Sequence, residues 1–169
     1  MNILSLFKIV RTFIFDVDGV MTDGTLLVLE NGQLSRKMHI RDGYALQLAV
    51  RRGYQVAVIS GGRSEAVIRR LEGLGVRDIF LGVEDKKQVL QTYLSGRKLS
   101  PEQTLYMGDD LPDLQAMQLT GLRCCPSDSC PEIKAICQYI SPFPGGTGCV
   151  RDVIEKVLKL NGHWPGLAG

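Results

Sequence analysis

Two carboxylates spaced two residues apart are the first sign of chemistry in this sequence. Asp16 and Asp18, in Asp16-Val17-Asp18-Gly19-Val20, follow the apolar run TFIF. Alternate residues of an extended segment share a face, so both side chains can enter one site. Carboxylates that close together repel unless a cation or a shared proton lies between them. Asp109, Asp110 and Asp113 follow a second apolar run, Thr104–Met107. Together they form an oxygen-rich anionic cluster. Such a cluster suits Mg²⁺, which binds through one or two carboxylates, water and a substrate phosphate.

Phosphoryl transfer is a reaction this set can run. One aspartate can attack phosphorus, splitting hydrolysis into formation and breakdown of an acyl phosphate. A second can protonate the leaving oxygen and then take a proton from water. Positive charge and hydrogen-bond donors must surround the transferring group. Ser60, at the end of the apolar run Tyr54–Ile59, supplies a hydroxyl, and Lys86 supplies a compact cation. Lys86 is preferred to Lys87 because a residue at a helix start can face the carboxyl edge of a sheet. Gly61 and Arg63, just past Ser60, and Asp42 are candidate substrate contacts. Asp110 and Asp113 are candidate supports, although Asp113 also suits the first turn of a helix and Asp42 suits an N-cap.

The elements that must hold these residues alternate between strand and helix, as in an α/β domain with a mainly parallel sheet. Strands are expected at Thr12–Val17, Tyr54–Ile59, Asp78–Leu81, Thr104–Met107 and Leu122–Cys124. Helices are expected from Asp42 towards Arg52, then over Ser64–Leu74, Lys86–Leu94, Leu114–Leu119, Ile133–Cys137 and Val150–Leu160. Thr25–Glu30 and Gln33–His39 flank Asn31-Gly32, a strong hairpin signal. Open α/β sheets bind ligands outside the carboxyl ends of their strands. Asp16/Asp18, Ser60 and Asp109/Asp110 all lie at such ends, so one crevice collects them.

Composition narrows the partners. The 169 residues are 44% apolar and 22% charged with a net charge of +2, a single soluble domain's profile without the basic footprint of a nucleic-acid binder. No apolar run approaches the roughly 20 residues of a membrane span. Lys8 and Arg11 interrupt the apolar start, and no small-residue cleavage site precedes Asp16, so a cytoplasmic location is expected. The five cysteines lack paired CxxC spacing and read as buried free thiols, with Cys130 and Cys137 on one helix face. His39 and His163 have no ligand-spaced partner, and Gly145–Gly148 is not a dinucleotide loop.

Four motifs now stand in order along nearly the whole chain. FDVDGVMTDG resembles the nucleophile motif of the haloacid dehalogenase superfamily. Ser60 in VISGGR, Lys86 and GDDLPD resemble its hydroxyl, lysine and acidic motifs. The resemblance implies a doubly wound three-layer α/β sandwich, Asp16 as nucleophile, Asp18 as acid/base, and Mg²⁺ on Asp16, the Asp18 carbonyl and Asp109. Members usually carry an inserted cap domain. Here only a hairpin fits between Gly19 and Asp42, and no domain fits between Ser60 and Asp109. Residues 1–169 therefore read as one capless domain, with a hairpin at about 25–39 and a tail at about 142–169.

VDGVMTDG, the hairpin TLLVLENGQLSRKMH, IRDGYAL and PGGTGCVRDV are similar to a capless subgroup that dephosphorylates sugar acids in lipopolysaccharide synthesis. That resemblance implies an eight-carbon 3-deoxy sugar acid 8-phosphate as substrate. It also implies a homotetramer in which hairpins pack together and each tail reaches a neighbour's site. A nine-carbon sugar-acid 9-phosphate is the nearest rival substrate. A phospho-accepting receiver-like signalling domain is the rival from another class, and the paired Asp18 argues against it. The Gly-rich stretch departs from the subgroup's pattern, with Thr147 where an arginine is usual.

Overall fold

Strand β1 (Thr12–Phe15) runs through the middle of the molecule with all four residues buried. In the computed structural model, which describes residues 2–166, it is flanked by β4 (Gln55–Ile59) and β6 (Thr104–Met107). β5 (Asp78–Phe80), β7 (Leu122–Cys125) and β8 (Tyr139–Ile140) complete a six-stranded sheet in the order β5-β4-β1-β6-β7-β8, every pairing parallel. Strands buried on both faces read as continuous apolar runs, which is why TFIF, VAVI and TLYM mark the centre.

Side chains alternate across the sheet with the strand period of two. Phe13, Phe15, Val56, Val58, Leu105 and Met107 join the core on one face, packed by α1 (Ile3–Ile9), α2 (Ile40–Arg51), α3 (Glu65–Gly73) and α7 (Cys149–Leu160). Ile14, Ala57, Ile59 and Tyr106 face the other core, under α4 (Lys86–Gly96), α5 (Leu114–Met117) and α6 (Pro131–Ile136). This is the expected three-layer sandwich.

Several expectations need correction. β1 stops at Phe15, not Val17, because the chain turns there: the N–H groups of Val20, Met21 and Thr22 all donate to the Val17 carbonyl. α2 starts at Ile40 with His39 as its N-cap, the imidazole Nδ1 accepting from Arg41 N at 3.2 Å, so Asp42 does not cap this helix. Cys130 and Cys137 bracket α6 as its two caps; they do not share its face. All five cysteines are free, three of them buried. Helix α1 and edge strand β8 were not expected.

The hairpin forms with short arms, β2 (Leu27–Val28) and β3 (Leu34–Ser35), antiparallel around Asn31-Gly32. The described part of the tail, residues 142–166, packs on its own chain. α7 buries Cys149, Val150, Val153, Ile154, Val157 and Leu158, an i, i+3, i+4 stripe that meets α1 and α2. Beyond it, His163 Nδ1 lies 2.9 Å from Tyr54 Oη, and Trp164 packs edge-on against Tyr44 beneath the Arg151 guanidinium. No described helix is long and apolar enough to cross a membrane.

Candidate active site

The carboxyl ends of β1, β4 and β6 open into a cleft of about 460 Å³ whose walls include Asp16, Asp18, Ser60, Gly61, Lys86, Asp109, Asp110 and Asp113. Backbone bonding fixes the nucleophile candidate first. Asp16 N donates to the Met107 carbonyl at 3.1 Å, and Val17 N donates to Asp16 Oδ1 at 2.7 Å. The loop then turns at Gly19, whose φ is +86°; a Cβ there would stand 1.9 Å from Asp109 Oδ2. Only glycine lets the two acidic loops approach this closely.

Lys86 is the first residue of α4, and Asp85 caps that helix by accepting from Gln88 N. Its position directs the buried side chain into the cleft, while Lys87 is exposed. The ammonium lies 3.0 Å from Asp16 Oδ2 and 2.8 Å from Asp113 Oδ1. Asp113 also accepts from the Tyr106 hydroxyl at 2.9 Å and, through Oδ2, from Asp109 N at 3.2 Å. Asp113 thus fixes both the lysine and the Asp109 backbone. Asp110 is exposed and accepts from Leu111 N, capping the short turn that carries Asp113.

Electrostatics follow from this crowding. Burial first, and Asp113 second, push the Asp16 carboxyl up to about 7 against the pull of Lys86. Burial lifts Asp109 to about 7 as well, with Asp16, Asp113 and Asp110 adding like charge. Burial works against the Lys86 ammonium, yet Asp113 and Asp16 outweigh it and hold its pKa above the ordinary value. Tyr106 is raised well above its usual range by burial and by Asp113, so its hydroxyl stays a donor.

The remaining candidates divide. Ser60 is buried at the end of β4 and faces the cleft with Gly61. Asp18 shares the cleft, and its carboxylate is held by Arg36, which donates from Nε to Oδ1 at 2.7 Å and from Nη2 to Oδ2 at 3.1 Å. Arg36 was not singled out in the sequence; its position at the foot of a hairpin adjoining an acidic loop was the available signal. Arg63 is exposed and lies over Gly82, outside the cleft walls. Asp42 is also outside. It is buried between α2 and α7, where Oδ1 accepts from Arg151 N at 2.8 Å. Gly148 gives α7 no side-chain cap, and Asp42 serves in its place.

A divalent cation fits the residues present. Oxygen atoms of Asp16, Asp109 and Asp113 lie within 4.8 Å of one another. Of these three, Asp113 is already held by Lys86 and Tyr106. An all-oxygen set of this kind suits Mg²⁺.

A family model described as haloacid dehalogenase-like hydrolase matches residues 37–126. The chain is 32% identical over 160 residues to the 3-deoxy-D-manno-octulosonate 8-phosphate phosphatase of Yersinia pestis, covering 95% of this chain and 86% of that protein. The crystal structure of a Yersinia pestis enzyme of that name matches with a TM-score of 0.92 at 30% identity, over 95% of this chain and 87% of that one. The Moraxella catarrhalis enzyme, in complex with magnesium ion, phosphate ion and KDO, matches with a TM-score of 0.89 at 32% identity, over 93% and 90%.

Proposed function

The chain belongs to the haloacid dehalogenase-like hydrolase family, and we propose that it hydrolyses 3-deoxy-D-manno-octulosonate 8-phosphate to the sugar acid and phosphate. One observation carries this reading: a buried Asp16 carboxylate, gripped by Lys86 at 3.0 Å, shares a cleft with Asp18, Ser60 and Asp109. The likeness to named phosphatases of that substrate along most of both chains selects the sugar acid.

In the proposed reaction Asp16 attacks phosphorus and the sugar oxygen leaves, taking a proton from Asp18. Lys86, Ser60 and the backbone N–H groups of the Asp16 and Ser60 loops hold the phosphoryl oxygens. Water then attacks the aspartyl phosphate while Asp18 takes its proton, which returns both carboxylates to their starting state. Asp16, Asp109 and the Asp18 carbonyl would hold Mg²⁺, which would supply the positive charge that lets a phosphate dianion approach the acidic cleft. Asp113 positions Lys86, and Asp110 positions the turn bearing Asp113. Gly61 borders the phosphate side. Arg63 and Asp42 fall outside the cleft walls and are left out of the substrate contacts.

The domain is read as capless, since only the β2–β3 hairpin separates β1 from α2. A homotetramer with packed hairpins is proposed to cover the open site. Leu27, Val28 and Leu34 on the hairpin and Ile40 on α2 leave an apolar surface exposed on the single chain, and association would bury it. Five free thiols and lipopolysaccharide-sugar chemistry are consistent with a cytoplasmic enzyme. The test is phosphate release from a panel of eight- and nine-carbon sugar-acid phosphates with Mg²⁺, compared by kcat/KM. A preference for the nine-carbon ester would move the substrate assignment, and no release from any ester would remove it.

A further inference from the structure

Arg36 stands at the foot of a hairpin whose tip is among the most exposed parts of the chain. Leu27 and Val28 are 64% and 69% exposed, yet the Arg36 side chain is only 6% exposed. Its ion-pair partner among the described residues is the carboxylate of Asp18. The guanidinium donates to both oxygens, at 2.7 and 3.1 Å, in the planar fork that fixes a carboxylate's orientation as well as its place. Its third nitrogen, Nη1, is buried with no hydrogen-bond partner among the described residues. Leaving a charged donor unsatisfied is costly, and among the described residues Asp18 is the anion that compensates it.

The surroundings are shaped for this pair. A Cβ on Gly62 would come within 2.9 Å of Asp18 Oδ2 and 3.0 Å of Arg36 Nη2, so the loop after Ser60 leaves room for the fork. Val17, Ser60, Val67 and Leu81 wall the same small recess. Three separate segments therefore converge on one carboxylate: the nucleophile loop, the loop after β4 and the hairpin.

We infer that Arg36 is the positioning residue for Asp18, and that through it the hairpin is a working part of the acid/base machinery. This rests on the assignment of Asp18 as acid/base under the proposed function. Each Asp18 oxygen accepts one bond from the fork and keeps a second lone pair, so the same carboxyl group can give a proton to the leaving oxygen in one step and take one from the attacking water in the next. A side chain free to rotate would hold that point only part of the time, and small misplacements of a catalytic group are costly. Arg36 removes that freedom without itself touching the phosphoryl group.

The test separates the proton-requiring ester from the proton-independent one in the first turnover. An alkyl sugar phosphate needs Asp18 to protonate its leaving oxygen, whereas p-nitrophenolate departs unaided. In Arg36→Ala, first-turnover cleavage of the alkyl ester should fall by about ten- to a hundredfold while the p-nitrophenolate burst stays within about threefold. Guanidinium ion at concentrations that leave the fold intact should restore part of the alkyl rate. Arg36→Lys, which keeps the charge but not the fork, should fall between. Equal losses on the two esters, no loss on either, or no rescue would overturn the inference. A wild-type enzyme inert towards the alkyl ester, or an Asp18→Asn variant with wild-type turnover, would instead overturn the proposed function on which it rests.

Discussion

The Lys86 ammonium lies 3.0 Å from Asp16 Oδ2, with the two side chains 4% and 9% exposed. The same ammonium meets Asp113 at 2.8 Å, so one cation serves two buried carboxylates beside a third, Asp109. Removing one member of a buried charge cluster leaves the others uncompensated. Lys86→Met should therefore destabilise the metal-free protein by about 3–5 kcal/mol in denaturant unfolding. Turnover should fall by at least roughly a hundredfold, since a preorganised cation is lost from the transferring group. A stable, active Lys86→Met protein would contradict the arrangement.

Metal binding should depend on pH in a defined direction. In the metal-free cleft, burial and crowding hold Asp16 and Asp109 near 7, so below that pH a cation must displace protons. The rise in melting temperature on adding Mg²⁺ should be larger at pH 8 than at pH 6, and chelator should remove it at both. A shift independent of pH would show that the two acids are ionised before metal arrives.

Asp42 offers a stability test away from the cleft. Burial pushes its carboxyl up to about 6, against the Arg151 N–H bond and the charges of His39 and Arg151, and its Oδ2 has no hydrogen-bond partner among the described residues. The folded value is raised above the ordinary 3.8, so between about 4 and 6 the folded state binds more proton than the unfolded one. Its contribution to stability therefore falls as pH rises through that window, and the cost is fully present above 6. Asp42→Asn keeps an oxygen for Arg151 N and removes the charge. It should gain on the order of 2–3 kcal/mol over wild type at pH 8, from the shift of Asp42 to about 6, and little at pH 4. Chemical unfolding of both proteins at the two pH values reads the difference.

What the sequence revealed and what it hid follow from range along the chain. β1, β4 and β6 are buried on both faces, so each shows as an apolar run, and the polar residues just past them are legible as a site. Lys86 was legible over Lys87 because only the first residue of α4 turns into the cleft. Arg36 was not, because its partner Asp18 lies 18 residues away across a hairpin whose two arms pair over only two residues each. Asp42 reads as a helix cap, and it is one, but for α7, 109 residues further on. α1 buries Phe7 alone, and β8 has two residues, so neither carries a period long enough to see. The tie between the tail and the nucleophile loop was also hidden, because Gly146 N donates to the Val20 carbonyl across more than a hundred residues.

Assembly is testable on the hairpin alone. Val28 is 69% exposed on the single chain, so Val28→Asp should cost the fold little while opposing burial in a packed hairpin interface. Sedimentation should show wild type as a tetramer and the variant as smaller species, with activity on the sugar-acid ester reduced along with assembly. A monomeric wild type of full activity would remove the tetramer from the account.

The central claim is that Asp16 carries the phosphoryl group. Acid quenching during turnover, followed by borohydride reduction, converts an aspartyl phosphate to homoserine, and peptide mass spectrometry locates it. Homoserine at position 16, absent from Asp16→Asn, is the predicted result. Homoserine at any other aspartate, or none in a rapidly quenched sample that is visibly turning over, would contradict it.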